Sequence, residues 1–143
     1  MKKIILLGVL ITFSCNKVNM QRKNTESDKV EGEKITQIYF DNISLEKPND
    51  NLKLFGKDFL AKISKEDFIK QSNIVDVKLG KVVERNLVKW ETNIVDGTNP
   101  KSEYLFIYDV TREKHNSKET FYLIKETTDS IKIHTYNVES EDL

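Results

Sequence analysis

The chain has 143 residues, with 23 Lys and Arg against 23 Asp and Glu, for a formal net charge of zero. That length suits one domain and is short for two, and the interspersed charges describe an ordinary solvated surface with no basic excess to draw nucleic acid. A single cysteine, Cys15, excludes a disulfide framework within one chain.

The first stretch, MKKIILLGVLITFSC, has two lysines, an apolar run over Ile4–Phe13 and a small residue, Ser14, before Cys15. A membrane span needs about 20 apolar residues, and here Asn16 and Lys17 interrupt the run too early. Lys2 and Lys3 fit a charged n-region and Ile4–Phe13 an h-region, so Met1–Ser14 reads as an export signal. The ending TFSC resembles a bacterial lipoprotein signal, with Thr12 where such signals place Leu or Val. The resemblance implies a diacylglycerol on the Cys15 thiol, with two or three acyl chains in all, palmitate among them. It places the protein in the bacterial cell envelope, anchored in a membrane and facing the periplasm or cell surface. Ordinary cleavage after Ser14 is the alternative, because Thr12 and Ser14 mimic a small-x-small site. A lipidated cysteine also removes a thiol that an exported protein would otherwise carry unpaired. Removal of Met1–Ser14 leaves 129 of the 143 residues, and the loss of Lys2 and Lys3 leaves 21 basic against 23 acidic side chains, a formal charge of −2.

From Asn16 to Lys34 the apolar side chains are Val18, Met20 and Val30, too few to offset the entropy of ordering. Residues 15–33 are therefore predicted to be a flexible tether, with an r.m.s. reach of roughly 20–25 Å, and residues 34–143 a single domain. EKITQIYFDNIS places Ile35, Ile38, Tyr39 and Asn42 on one helical stripe, with Phe40 and Ile43 beside it. Pro48 breaks that helix, and NLKLFGKDFLAKI suggests a short helical turn interrupted at Gly56. Ser64, with Asp67 three residues on, starts a further helix that carries Phe68, Ser72, Val75 and Leu79 and stops at Gly80.

After Gly80 the apolar period changes from about 3.6 to 2. Val83, Arg85 and Leu87 follow one phase; Val88, Trp90, Thr92 and Ile94 follow the other. A bulge at Leu87–Val88 accounts for the switch. EYLFIYDV is apolar on both faces and predicts a central strand, and ETFYLIKE and SIKIHTYNV complete a four-stranded antiparallel meander.

SKEDF, LGKVVERNLVKW, ETFYLIKE and IKIHTYNVES resemble, in order and spacing, segments of small bacterial envelope proteins of the cystatin-like and nuclear-transport-factor-two-like group. That resemblance covers about residues 33–140. It implies an α+β domain with N-terminal helices packed on a curved four-stranded antiparallel sheet, and it implies no activity.

Motifs for chemistry are few. His115 and His134 have no second ligand at metal spacing, and no phosphate loop or nucleophile elbow is present; no metal, cofactor or nucleic-acid partner is expected. Tyr39, Trp90, Tyr104, Phe106 and Tyr108 are predicted to stand between helix and sheet, with Tyr39, Trp90, Phe106 and Tyr108 as candidates to line a pocket there. In ketosteroid isomerase-like members of this broad fold that space holds a ligand and an acidic base; the alternative is a closed aromatic core. Asp41 and Asp109 are candidate buried acids, Asp109 in a phase that faces outward. No residue is assigned as catalytic. The leading expectation is a lipid-anchored, non-enzymatic accessory or binding module, with an envelope protein as a partner. The alternatives are a small-ligand carrier or enzyme using the helix–sheet space, and a toxin-immunity protein.

Overall fold

The computed structural model of the protein describes residues 19–125 and 130–143. The predicted signal Met1–Ser14, the predicted lipidation site Cys15 and residues 126–129 lie outside the described residues. The domain is α+β. Strand β1 (Met20–Lys23) leads into helix α1 (Glu26–Ser44). Two single turns follow, α2 (Pro48–Asn51) and α3 (Lys57–Leu60), bridged by a 3-10 turn at Leu52–Leu54. Helix α4 (Lys65–Leu79) then precedes β2 (Val82–Asp96), β3 (Lys101–Arg112), β4 (Ser117–Lys125) and β5 (Ile131–Glu139). The strands form one antiparallel sheet in sequence order, β1-β2-β3-β4-β5.

The sheet therefore has five strands rather than the expected four. The additional strand is β1, which lies inside the segment read as a tether. Met20 pairs with Asp96 and Lys23 with Asn93. All four of its side chains are exposed, so hydropathy gives no sign of it; the backbone ladder with β2 supplies the order. Helix α1 likewise begins at Glu26, well before Glu33. Its first turn is secured by Asp28, a buried carboxylate that accepts from Arg22 Nε at 2.8 Å and from the Thr25 hydroxyl. The tether is thus corrected from Met20 onward.

The buried face of α1 is Gly32, Thr36, Tyr39 and Phe40, whereas Ile38 is 44% exposed. Small residues replace aliphatic ones because α1 lies close against large rings. A Cβ on Gly32 would stand 2.7 Å from Tyr104 Cδ1 and 2.9 Å from Phe106 Cε2. The Tyr108 hydroxyl lies 2.6 Å from Thr36 Oγ1, which in turn donates to the Glu33 carbonyl. Phe121, fully buried on β4, meets Tyr39, Phe40 and Tyr108 at steep interplanar angles, the edge-to-face arrangement that ring quadrupoles favour.

The remaining punctuation follows the residues. Ser64 Oγ accepts from the Asp67 amide at 3.0 Å and caps α4, and Gly80 takes φ +81° at its end. The register between β2 and β3 slips between Leu87 and Lys89, which makes Val88 the bulged residue. β3 is the middle strand, with Tyr104, Phe106, Tyr108 and Val110 buried on one face. Pro48 starts α2, and Asn51 fastens that turn to α1: its Oδ1 accepts from Asn42 Nδ2 at 2.9 Å and its Nδ2 donates to the Tyr39 carbonyl. Gly56 begins α3, and its amide donates to the Ile133 carbonyl at 2.9 Å, covering part of the β5 edge.

Candidate functional site

Alternation along a strand assigns sides. The phase that buries Phe121 and Leu123 on β4 also turns Ser117 and Glu119 inward, and the phase of Tyr108 and Val110 on β3 turns Arg112 inward. An acid and a base thus enter an apolar interior from adjacent strands. Isolated burial of either charge would cost several kcal/mol, so each needs a partner.

They find one another. Arg112 Nη2 donates to Glu119 Oε1 at 2.6 Å, and Arg112 Nε donates to the same oxygen at 3.2 Å. The arginine side chain is 3% exposed and the glutamate 0%. Ser117 Oγ adds a donor to Oε1 at 3.0 Å, and Tyr136 of β5 donates its hydroxyl to Oε2 at 2.7 Å. Arg112 Nη1 reaches the Gly80 carbonyl at 3.1 Å and Asp76 Oδ1, near the end of α4, at 3.3 Å. Burial works to lower the Arg112 pKa, but the charge and hydrogen bonds of Glu119 overcome it and the value is raised. Burial, followed by the charge of Glu119, pushes the Tyr136 hydroxyl well above its ordinary value, so it stays a donor at any ordinary pH. Asp76 is raised by desolvation, against the pull of Arg112.

Above this cluster the helices part from the sheet and leave a cavity of about 430 Å³, within the usual range of small-molecule sites. Its walls are mostly apolar: Tyr39 and Ile43 of α1, Phe68 and Val75 of α4, Val138 of β5, and Leu143. Asp76, Arg112 and Tyr136 reach its surface. The space combines an apolar body with one polar, charged end, the composition that orients a small ligand.

Of the residues predicted to line a pocket, Tyr39 does so. Trp90, Phe106 and Tyr108 do not. Phe106 is fully buried beside Gly32, and Tyr108 is packed under Phe40, ring centroids 5.3 Å apart. Trp90 is half-buried beneath Lys29, whose Nζ stands 5.6 Å from the ring centroid. These three sit on the correct face of the sheet, but where α1 lies flush against it. Asp41 and Asp109 are exposed and face Arg85 and Lys118, each at 3.5 Å; the buried acid at this end of the sheet is Glu119. His115 lies in the β3–β4 turn with Nδ1 2.9 Å from Asp142 Oδ2, and His134 is half-buried on β5. Among the described residues no group of three or more His, Cys, Asp and Glu could hold a metal ion, and no helix is long and apolar enough to cross a membrane.

No protein-family model, no curated protein and no solved structure matches the chain. The functional reading therefore rests on the geometry of the cavity and on the residues that form it.

Proposed function

We propose that the protein is a bacterial envelope lipoprotein, anchored through Cys15, whose cystatin-like or nuclear-transport-factor-two-like domain is a non-enzymatic binding module that takes a small, largely apolar molecule between its helices and sheet. The observation that carries the binding reading is the cavity with its polar end at Asp76, Arg112 and Tyr136. A carrier suits these groups better than a catalyst does. The most deeply buried carboxylate, Glu119, already accepts from Arg112, Ser117 and Tyr136, so it is committed to holding the end of the cavity rather than free for proton abstraction.

The lipid anchor rests on the n-region, the h-region and the Ser14–Cys15 junction. With β1 starting at Met20, four residues, or five Cα–Cα steps, separate Cys15 from the sheet, a reach of at most about 18 Å. The domain thus stands close to the membrane with the β1 edge nearest to it. β1 pairs with Asn93–Asp96, whereas Arg112 pairs with Val82 at the opposite end of the β2–β3 ladder. The cavity end is therefore the one distant from the anchor, and the ligand arrives from the aqueous side.

Saturable binding of the apolar dye N-phenyl-1-naphthylamine, abolished by Val75→Trp, tests the cavity; a dye signal that Val75→Trp leaves intact removes it. Metabolic labelling with a clickable palmitate analogue tests the anchor, with label on the wild type and none on Cys15→Ala. Equal labelling of the two refutes it.

A further inference from the structure

The polar end of the cavity is lined by Asp76, Arg112 and Tyr136, with Glu119 fully buried behind Arg112. Arg112 and Glu119 neutralise one another at 2.6 Å, and Lys81, the other cation whose charge acts on Asp76, is paired with Glu46, which leaves Asp76 as the charge in excess. Asp76 keeps 42% of its side-chain surface accessible, and its one hydrogen bond within the described residues, from Arg112 to Oδ1, is 3.3 Å long. A charge-assisted N–H···O bond is ordinarily 2.7–2.9 Å, so Arg112 satisfies Asp76 poorly. Oδ2 has no donor among the described residues. A carboxylate in an apolar recess, half withdrawn from water and short of donors, attracts a cationic donor.

The walls suit the same charge. Tyr39, Phe40, Phe59, Phe68 and Tyr136 all line the cavity, and aromatic faces attract cations in desolvated sites. The one lysine on the lining, Lys62, is exposed, so solvent screens it.

We propose that the ligand is a hydrophobic monoamine: an apolar or aromatic body filling the space between α1, α4 and β5, with a single protonated amine donating to Asp76 Oδ2. This assignment rests on the binding-module reading above and adds the chemistry of the ligand's head group. It makes Asp76 the specificity-determining residue, with Arg112, Glu119 and Tyr136 holding the end of the cavity in place. Access from the end distant from the lipid anchor agrees with a ligand soluble enough in water to carry a charge.

Three probes with one common body separate the two claims: 4-phenylbutylammonium, 4-phenylbutan-1-ol and 4-phenylbutanoate, each titrated calorimetrically into the full chain. The ammonium binds about tenfold tighter than the alcohol, the order expected for a charged hydrogen bond over a neutral one, and the carboxylate binds weakest. Asp76→Asn, which keeps the shape and an oxygen for Arg112, abolishes the preference for the ammonium; Asp76→Glu, which keeps the charge, retains part of it. Val75→Trp removes binding of all three probes. If the alcohol or the carboxylate binds as well as the ammonium, the head-group assignment is overturned and the cavity reading stands. An ammonium preference that survives Asp76→Asn also overturns it. If none of the three binds, both fall.

Discussion

The two halves of helix α1 meet the same sheet in opposite ways. The N-terminal half presents Gly32 and Thr36 and lies so close that Tyr104 and Phe106 fill all the space a Cβ would need. The C-terminal half presents Tyr39, Phe40 and Ile43, and the large side chains prop the helix away from the end of the sheet. The first half makes a closed core and the second roofs a cavity. Residue volume, more than hydropathy, sets the distance between layers, because packed interiors tolerate neither overlap nor voids. The polar groups divide in the same way. Tyr108 under the closed half is satisfied locally by Thr36, and burial pushes its hydroxyl up to about 12. The open half is floored by an ion pair that also serves the cavity wall.

The largest test of this contrast removes the floor. Glu119→Ala leaves Arg112 buried without its counter-charge, an expected loss of about 3–5 kcal/mol in urea unfolding. The double replacement Arg112→Met with Glu119→Leu recovers most of that loss, because apolar side chains of similar volume avoid the desolvation of both charges. A single-site loss no larger than that of a surface change would mean that the pair is solvated.

Gly32→Ala probes the closed half. The added methyl meets two rings at under 3.0 Å, and overpacking costs about 1–3 kcal/mol, against a helix-propensity gain of up to about 1 kcal/mol. Net destabilisation is expected in the chemical midpoint. A stabilised variant would show that α1 can lift away from the sheet at this point.

Val75→Phe makes the complementary change in the open half. The larger side chain enters vacant space, so stability rises by about 0.5–2 kcal/mol while dye binding is lost. Opposite signs for Gly32→Ala and Val75→Phe in the same thermal-unfolding assay would sharpen the comparison; equal signs would break it.

The smallest effect is a pH dependence at the start of α1. The Arg22 hydrogen bond holds the Asp28 carboxyl below its ordinary value of 3.8, opposed by desolvation and aided by Thr25. The folded state therefore binds that proton less readily than the unfolded chain does. Asp28 adds stability above the ordinary carboxylate range, and this is lost as pH falls through about 3.8 and below. Asp28→Asn flattens the acid limb of the stability profile. The effect is modest because Arg22 is partly exposed and solvent screens the pair.

Much of this architecture is legible in the residues. The Ser64 cap, the Gly80 stop, the break at Pro48 and the bulge at Leu87–Val88 all stand where local chemistry puts them. Each depends on neighbours in the chain, so a short window contains the whole cause. β1 is not legible, because an edge strand of four exposed side chains is ordered by the backbone of β2, 70 or more residues away. The aliphatic stripe through Ile38 was misleading for a related reason: α1 buries its small residues, and the need for them comes from the rings of β3. The candidate site is legible in part. Tyr39 follows from helical phase, and the alternation Ser117, Glu119, Phe121, Leu123 carries an inward acid that strand phase alone can identify.

By itself the sequence determined the α+β class, the two caps of α4, the strand phases, the central position of β3 and the inward face of the sheet, because each follows from spacing along a short stretch of backbone. Only the tertiary structure decided that Arg112, Glu119, Tyr136 and Asp76 converge, and that Tyr39 borders a space while Trp90, Phe106 and Tyr108 do not. The reason is that a cavity is a distance between layers, and that distance is set jointly by side-chain volumes on elements far apart in the chain.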